Sequence, residues 1–299
     1  MEELKLKDSI ALVVGGAGFV GSNLVLMLLE EGAGEIYVVD NLLSSISSNI
    51  PTDNRVKFIK GSIADQRVLN QLPKQIDFIW HLSCFHGNQS SIHDPIADHE
   101  NNTLTSLMLF DHISKYKGVK KVVYAAAGCA VAEKTYSDSR ATPENAPISL
   151  FHDSPYSISK IIGEMYGNFY FTNSAMPFVR ARFQNIYGPR EILGAGSWRG
   201  TPATVWRNVI PTFIWRSLKN EPLTLDNGGR STRDFVFVRD LCRGLVLCAL
   251  LGKPGEAYNL ASGKETTIAD LANLIVDKTN SSSIVNLGEK RSWDNSGMR

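Results

Sequence analysis

Residues 10–21 read IALVVGGAGFVG: an apolar run passes directly into a series of glycines. A short continuous apolar run is typical of a strand that a parallel sheet buries on both faces. Residues 22–29 continue with a helical pattern, and a second apolar run at residues 36–40 ends in Asp40. Strand, glycine turn, helix and strand in this order predict the first β-α-β unit of a parallel sheet.

The same alternation continues along the chain. Further strands are predicted at 56–59, 77–82, 121–125 and 177–182, with helices between them at 65–72, 101–114 and 155–171. Beyond residue 182 the pattern is less regular, with helices predicted at 209–218, 240–251 and 267–279 and strands at 234–238 and 257–260. This alternation predicts an α/β fold built on a doubly wound parallel sheet.

Composition and charge exclude several classes of protein. The chain has 299 residues, and its 31 Lys and Arg against 30 Asp and Glu leave a formal net charge of +1. That balance favours neither a nucleic acid nor a membrane surface as a partner. No apolar run approaches the roughly 18 residues that span a bilayer. The first residues, MEELKLKDSIALVV, place acids before the apolar stretch, unlike a secretory signal.

The cysteines and histidines show no disulfide or metal-site pattern. No CxxC occurs among the four cysteines, which are Cys84, Cys129, Cys242 and Cys248. We therefore expect reduced thiols and a cytoplasmic protein. All six histidines fall between His81 and His152 without the spacing of a metal site, so no metal ion is expected.

Gly15, Gly18 and Gly21 form a GxxGxxG spacing after the first strand. Glycine permits the tight turn, lets the backbone approach a pyrophosphate and lets the helix pack closely on the strand. The N-terminus of that helix offers N–H groups and the positive end of its dipole to phosphates. Asp40 can accept both hydroxyls of an adenosine ribose and would repel a 2′-phosphate. The loop therefore predicts a bound dinucleotide, NAD rather than NADP.

Tyr156 and Lys160 have the i, i+4 spacing that places two side chains on one face of a helix. A tyrosine has an ordinary pKa of about 10 and alone is a poor base at neutral pH. A nearby ammonium group favours the phenolate and brings the pKa of the tyrosine toward the working pH. The pair is a candidate for proton transfer; the alternative is a core tyrosine beside a lysine that extends to solvent.

Several segments resemble the extended short-chain dehydrogenase/reductases, and more closely the NAD-dependent nucleotide-sugar epimerases, dehydratases and decarboxylases. They are residues 15–21 (GGAGFVG), Asp40, 81–82 (HL), Asn102, 156–160 (YSISK), 182–190 (RFQNIYGPR) and 233–238 (RDFVFV). The resemblance extends from residue 10 to about residue 297. It implies a Rossmann domain of residues 1–182, to which residues 233–262 return. Residues 183–232 and 263–299 would form a smaller C-terminal nucleotide-sugar-binding domain.

The resemblance also implies roles for individual residues. Tyr156 would take the proton of a sugar hydroxyl while hydride passes to the nicotinamide, and Lys160 would hold the nicotinamide ribose. The residues expected to bind NAD are Gly15, Gly18, Phe19, Val20, Gly21, Asp40, Asn41, Ser62, Ile63, Leu82, Asn102 and Lys160. Those expected to bind the nucleotide sugar are His86, Ala127, Asn185, Arg233 and Arg291.

The end of the fifth predicted strand departs from the family pattern. Family members have Ser or Thr where this chain has Ala127, and that hydroxyl bridges the substrate oxygen and the tyrosine. The 4,6-dehydratases have an Asp-Glu pair, and the decarboxylases a Glu, where this chain has Gly128-Cys129. Loss of water or of carbon dioxide by the usual route is therefore disfavoured.

Cys129 resembles the cysteine of the GDP-mannose 3,5-epimerases, which acts as acid and base on ring carbons. A thiol has an ordinary pKa of roughly 8.5 and can do this where its surroundings lower that pKa. Cys129 is therefore a catalytic candidate, and the alternative is a small buried apolar residue at a strand end. Glu133 and His86 are further candidates for proton transfer.

Together these residues predict NAD-dependent epimerisation of a nucleotide sugar, a UDP-sugar at its 4-position. Oxidation and re-reduction at one carbon need no further acid–base pair. The alternatives are decarboxylation of a nucleotide-linked uronic acid, a dehydration that uses Cys129, and an NAD-binding regulator without activity. The resemblance implies a homodimer through the helices at 101–114 and 155–171, and residues 190–207 are expected to close over the ligand.

Overall fold

The computed structural model describes residues 4–131, 141–191 and 208–289, without the side chain of Cys129. Glu133, Arg291 and residues 192–207 lie outside the described residues. The roles expected of them, and of the Cys129 thiol, therefore stay predictions.

The strands of the described residues alternate with helices over the first half of the chain. The strands are β1 (Ile10–Val14), β2 (Glu35–Asp40), β3 (Val56–Lys60), β4 (Phe78–His81), β5 (Lys121–Ala127), β6 (Phe178–Phe183), β7 (Asn185–Tyr187), β8 (Leu223–Leu225), β9 (Thr232–Phe237), β10 (Ala257–Leu260), β11 (Glu265–Thr267) and β12 (Val285–Leu287).

Helices connect these strands. They are α1 (Phe19–Glu30), α2 (Gln66–Leu69), α3 (Asn88–His93), α4 (Pro95–Asp98), α5 (Thr105–Ile113), α6 (Gly128–Val131), α7 (Pro155–Ser174), α8 (Val209–Leu218), α9 (Val238–Leu250) and α10 (Ile268–Lys278). A π-helical turn, His99–Leu104, leads into α5. None of these helices combines the length and apolar character that crossing a membrane requires.

Seven strands form one sheet in the order β10-β6-β5-β4-β1-β2-β3. All neighbouring pairs in it are parallel. The chain moves outward from β1 to β3, then returns to β4 on the other side of β1 and continues in the opposite direction. In such sheets ligands bind beyond the carboxyl ends of the strands at this switch point, here between β1 and β4. The predicted doubly wound parallel sheet is confirmed.

Side chains from alternate positions of the sheet build a core on each face. Ala11 and Val13 of β1 pack in one cluster with α1 and α9, whereas Leu12 and Val14 pack in the other with α2, α5 and α7. This follows from the alternation of side chains along a strand. Burial on both faces explains why the central strands β1, β4 and β5 are largely continuous apolar runs in the sequence.

Two smaller sheets hold the remaining strands. Strands β7, β9 and β11 form one of three strands, and β8 and β12 form one of two. Only part of residues 233–262 therefore belongs to the large sheet: β10 is its edge strand and α9 packs on it, but β9 pairs elsewhere. The division of the chain into two domains stays a prediction.

Some predicted elements differ from the structure. The helix predicted at 65–72 contains only α2, and the helix predicted at 101–114 begins earlier, in the π-helical turn. The strand predicted at 234–238 ends one residue sooner, because Val238 already starts α9. Strands β7, β8, β11 and β12 were not predicted, because three residues are too few to show a period.

Helix α7 carries the predicted proton-transfer pair and lies directly against the sheet. Gly163 and Gly167 face the sheet, and a methyl group at either position would collide with the ring of Tyr124 or of Phe178, respectively. The two glycines therefore set the short distance between α7 and strands β5 and β6. At its start, Ser154 accepts a hydrogen bond from the backbone of the first turn, as an N-cap does.

A buried ion pair fixes α7 to β6. The guanidinium of Arg182 on β6 donates to both carboxylate oxygens of Glu164 on α7, at 2.9 and 2.8 Å. Both side chains are almost completely buried. A third nitrogen, Nη1 of Arg182, donates to the backbone oxygen of Glu144 at 2.8 Å. The pair thus joins the helix, the sheet and the chain segment that precedes α7.

Removing one partner of this pair should cost much stability. In Glu164→Gln the buried guanidinium loses its counter-charge, which typically costs about 3–5 kcal/mol of unfolding free energy. Urea denaturation of the variant and the wild type measures this. The matched control is Glu30→Gln, which removes the exposed Glu30–Arg239 pair. This variant should unfold at the same urea concentration as the wild type. Equal losses of unfolding free energy in Glu164→Gln and Glu30→Gln would contradict the stabilising role assigned to the buried pair.

Candidate active site

The turn between β1 and α1 requires glycine at two positions. Gly15 has a φ of +84°, and an added Cβ would lie 2.5 Å from the backbone nitrogen of Ser83. At Gly21 an added Cβ would collide with the carbonyl oxygen of Gly15. The turn therefore brings its backbone close to the end of β4, at the switch point of the sheet. Gly18 caps α1, whose first N–H groups have no partner within the helix.

Asp40 holds this turn in place. One carboxylate oxygen accepts the backbone N–H of Ala17 at 3.0 Å, and the other accepts from Ser45 Oγ at 2.8 Å and from Leu42 N at 2.9 Å. On the other side of the turn, the amide of Asn49 donates to the oxygen of Ala17 at 3.1 Å. Asp40 thus shapes the glycine turn in addition to the ribose contact that the sequence predicts for it.

A cavity of about 1200 Å³ extends from the glycine turn along the carboxyl ends of the strands to α8 and β9. Of the seventeen predicted site residues that the structure describes in full, sixteen line this cavity. Those that line it are Gly15, Gly18, Phe19, Val20, Gly21, Asp40, Asn41, Ser62, Ile63, Leu82, His86, Ala127, Tyr156, Lys160, Asn185 and Arg233. Asn102 does not line it.

Asn102 lies behind the cavity wall and clamps the chain there. Its side-chain oxygen accepts the backbone N–H of Phe85 at 2.7 Å, and its amide donates to the Phe85 oxygen at 3.3 Å and to Asp98 Oδ1 at 2.7 Å. Burial raises the pKa of Asp98 above its ordinary value. Asn102 therefore fixes the backbone immediately before His86, a role that its sequence pattern did not indicate.

Tyr156 and Lys160 lie side by side in the wall of the cavity. The ammonium of Lys160 donates to the backbone oxygen of Ala125 at 2.9 Å and lies 5.8 Å from the centre of the Tyr156 ring. Lys160 is only 3% exposed. A cation held this close to a phenol favours the phenolate, so the arrangement can move a proton at Tyr156 Oη.

Tyr156 also contacts the segment that follows β4. The ring of His86 meets the Tyr156 ring edge to face, with 5.6 Å between the ring centres. The backbone N–H of Tyr156 donates to Ser91 Oγ at 3.1 Å. The end of β5 contributes Ala125, Ala126 and Ala127 to the cavity wall, and their methyl groups cannot form hydrogen bonds.

Cationic side chains lie at the far end of the cavity. Arg233 of β9 and Asn185 of β7 line it together, because these two strands pair directly. Arg216 of α8 lines the cavity as well, whereas Arg190 lies near α1, where its guanidinium donates to the backbone oxygens of Ser22 and Asn49. Arginine suits bidentate contact with phosphate oxygens. Arg216 was not predicted from the sequence, because one arginine on an amphipathic helix resembles an ordinary solvent-facing charge.

The described cysteines divide into two kinds. Burial raises the pKa of the Cys242 thiol to about 12 and that of the Cys248 thiol to about 11, so both stay protonated. Cys84, by contrast, lines the cavity and was not selected from the sequence. Within residues 4–131, 141–191 and 208–289 no cluster of His, Cys, Asp or Glu is arranged to hold a metal ion.

His81 supports the site from inside the sheet. Burial, and then the charge of Lys160, lower the pKa of its imidazole to about 3. Its ring nitrogens contact Ser106 Oγ at 3.1 Å and Ser83 Oγ at 3.3 Å. His81 is therefore a neutral structural residue at working pH.

The residues around the glycine turn fit a dinucleotide. The turn has no room for a Cβ at Gly15 or Gly21, the N-terminus of α1 opens into the cavity, and Asp40 lies at its edge. Phosphates fit such a helix N-terminus. A family model described as the NAD dependent epimerase/dehydratase family matches residues 11–261. The chain belongs to this family.

Solved structures agree with this assignment. WbmF of Bordetella bronchiseptica, crystallised with NAD+ and UDP, is 54% identical and superposes with a TM-score of 0.86, covering 98% of this chain and 84% of WbmF. The epimerase Mth375 of Methanothermobacter thermautotrophicus is 36% identical with a TM-score of 0.88, covering 97% and 82%. The predictions of NAD as cofactor and of a Rossmann-like sheet are confirmed.

A curated relative has a named activity. The UDP-glucose 4-epimerase of Mycolicibacterium smegmatis is 28% identical over 268 residues, which are 88% of this chain and 80% of that protein. Members of the family bind NAD and act on nucleotide sugars, so the coarse prediction of an NAD-dependent nucleotide-sugar enzyme is confirmed.

The lowered pKa of His81 predicts that the folded protein loses stability in mild acid. With a folded pKa of about 3 and an unfolded pKa of about 6.5, only the unfolded chain binds this proton between those values. The unfolding free energy should therefore fall by up to about 1.4 kcal/mol per pH unit on acidification below pH 6.5.

Urea denaturation near pH 7 and near pH 5 measures this loss, since most carboxylates stay ionised in that interval. His81→Gln should reduce the loss, whereas His93→Gln, at an exposed position on α3, should lose as much as the wild type. The same loss in His81→Gln as in the wild type would show that the group responsible lies elsewhere.

Proposed function

We propose that the protein catalyses NAD-dependent epimerisation of a UDP-sugar at the sugar 4-position, through a transient keto intermediate. The observation that carries this is the placement of Tyr156 and Lys160 in one cavity, between the glycine turn and the arginines of β9 and α8. Bound NAD supplies the acceptor, and later the donor, of the hydride.

Tyr156 and Lys160 would handle the proton. Tyr156 Oη accepts the proton of the sugar 4-hydroxyl and returns it when the keto group is reduced. Lys160 remains charged beside it and stabilises the phenolate. Because one group takes and returns one proton, no second acid–base pair is needed.

The other end of the cavity suits a nucleoside diphosphate. Arg233 and Asn185 lie on paired strands, and Arg216 adds a further cation from α8. Diphosphate oxygens bind well to guanidinium groups. The UDP bound to WbmF supports uridine as the base of the substrate.

The sequence Gly128-Cys129 argues against dehydration and decarboxylation, because it places no carboxyl group at the start of α6. Mass spectrometry and NMR of products from UDP-glucose, UDP-N-acetylglucosamine and their uronic acids distinguish the reactions. Unchanged mass with inverted stereochemistry supports epimerisation. Loss of water or of carbon dioxide would overturn it.

Tyr156→Phe tests the proton-transfer assignment. Removing the phenol oxygen should lower kcat by about 10³-fold, within the range for a general acid–base group. The dissociation constant of UDP should stay within about twofold, because the diphosphate site is separate. Tyr166→Phe, on the same helix but outside the cavity lining, is the matched control. Near-normal turnover in Tyr156→Phe would refute the mechanism.

We also propose a homodimer through α5 and α7. The two helices pack against each other, and α7 exposes Ile158, Met165 and Phe169 along one stripe, with exposed fractions of 46, 55 and 54%. Leu104, just before α5, is exposed beside them. A two-fold axis would place the same pair of helices opposite and bury this stripe in a four-helix arrangement.

Met165→Asp should break this dimer, because two carboxylates would be buried near the axis. Light scattering after gel filtration should report a dimer for the wild type and a monomer for the variant. Leu274→Asp, exposed on α10, is the control and should remain dimeric. A wild type that is monomeric at micromolar concentration would overturn the proposed interface.

A further inference from the structure

The wall around Tyr156 has an uneven distribution of hydrogen-bonding groups. The β5 alanines (Ala125, Ala126 and Ala127) line the cavity with side chains that have only methyl groups, and Ala127 packs in one cluster with Tyr156. His86 also lines the cavity and contacts the Tyr156 ring. Of these neighbours of Tyr156, His86 has a side chain that can form a hydrogen bond with a sugar oxygen, and the alanines do not.

We infer that His86 donates a hydrogen bond from an imidazole N–H to the sugar oxygen that Tyr156 deprotonates, and that Asn102 is the residue that positions His86 for this. The inference rests on the proposed function and extends it to the reacting oxygen. It assigns His86 a catalytic role and Asn102 a positioning role.

The chain on both sides of His86 is fixed. Before it, Asn102 forms hydrogen bonds with both backbone groups of Phe85, at 2.7 and 3.3 Å. After it, Gly87 has a φ of +103°, which turns the chain into α3. Within α3, Ser91 Oγ accepts the backbone N–H of Tyr156 at 3.1 Å and donates to the Asn88 oxygen at 2.8 Å.

These bonds connect the two rings through their backbones. The position of His86 relative to Tyr156 is set by Asn102 on one side and by the Ser91–Tyr156 bond on the other. A donor that is held in place before the substrate arrives costs little reorganisation when charge develops on the oxygen.

The chemistry of this donor follows from the reaction. The imidazole N–H binds a lone pair of the sugar oxygen, so the hydroxyl proton of that oxygen points to Tyr156 Oη. That proton moves from the sugar oxygen to Tyr156, and the imidazole keeps its own. When the oxygen is part of the keto group, the same N–H polarises the C=O bond and favours its reduction.

A purely structural role for His86 makes a different prediction. If the imidazole only packs against Tyr156, another aromatic ring should replace it and a flexible amide should not. If its N–H matters, the amide should replace it and the ring should not. His86→Phe and His86→Gln therefore distinguish the two roles.

With the UDP-hexose that the wild type converts, His86→Phe should lower kcat by about 10²-fold, as loss of one such donor does. His86→Gln should stay within about tenfold of the wild type, and His93→Gln on α3 should be unchanged. The dissociation constants of NAD and UDP should stay within about twofold in all three. Activity of His86→Phe equal to or above that of His86→Gln would overturn the inference.

Asn102→Ala tests the positioning role in a double-mutant cycle. The single variant should lower kcat while NAD binding is retained. In the His86→Phe background the same substitution should cause no further loss, because its effect passes through His86. If Asn102→Ala lowers kcat by the same factor in the wild type and in His86→Phe, the positioning role of Asn102 is overturned.

Binding separates a failure of this inference from a failure of the proposed function. His86→Phe should raise the dissociation constant of UDP-glucose by about tenfold while that of UDP stays unchanged. A tenfold change corresponds to the loss of one hydrogen bond. If no UDP-sugar is epimerised but this binding difference is present, the proposed reaction is wrong and the His86 contact stands. An unchanged ratio of the two dissociation constants would overturn the contact, whatever the reaction.

Discussion

The buried pair of Glu164 and Arg182 joins the parts of the molecule that the site depends on. Glu164 lies one helical turn beyond Lys160 on α7, and Arg182 lies near the end of β6, just before Asn185. Two nearly ideal hydrogen bonds connect them, and a third reaches the segment that precedes α7. Tyr156 and Lys160 on α7 and the Asn185 end of the cavity are therefore held in one frame.

A second constraint acts at the opposite end of the cavity. Asp40 binds the backbone of the glycine turn while lying at the edge of the same cavity. One carboxylate thus contributes both to the shape of the turn and to the electrostatic character of the adjoining pocket. The glycine turn and the end of β2, which carries Asp40, are consequently joined by this hydrogen bond.

Sequence patterns predicted the large sheet well, because its central strands β1, β4 and β5 are buried on both faces and are therefore largely continuous apolar runs. They predicted Tyr156 and Lys160 because both the spacing and the helix are local. They did not predict the three-residue strands, which carry no period, or the position of β9 in a second sheet. Nor did they predict the clamp of Asn102 on Phe85, because hydrogen bonds between distant segments leave no pattern in either segment.

The glycines of α7 have a consequence for how the molecule folds. Gly163 and Gly167 let the helix touch the sheet, but each lowers the helix propensity of α7 by about 1 kcal/mol relative to alanine. An isolated segment with this composition would be largely unfolded in water. The helix therefore gains its order from the strands on which it docks. Because α7 carries Tyr156 and Lys160, a partly folded chain in which this helix has not docked has no complete cavity wall.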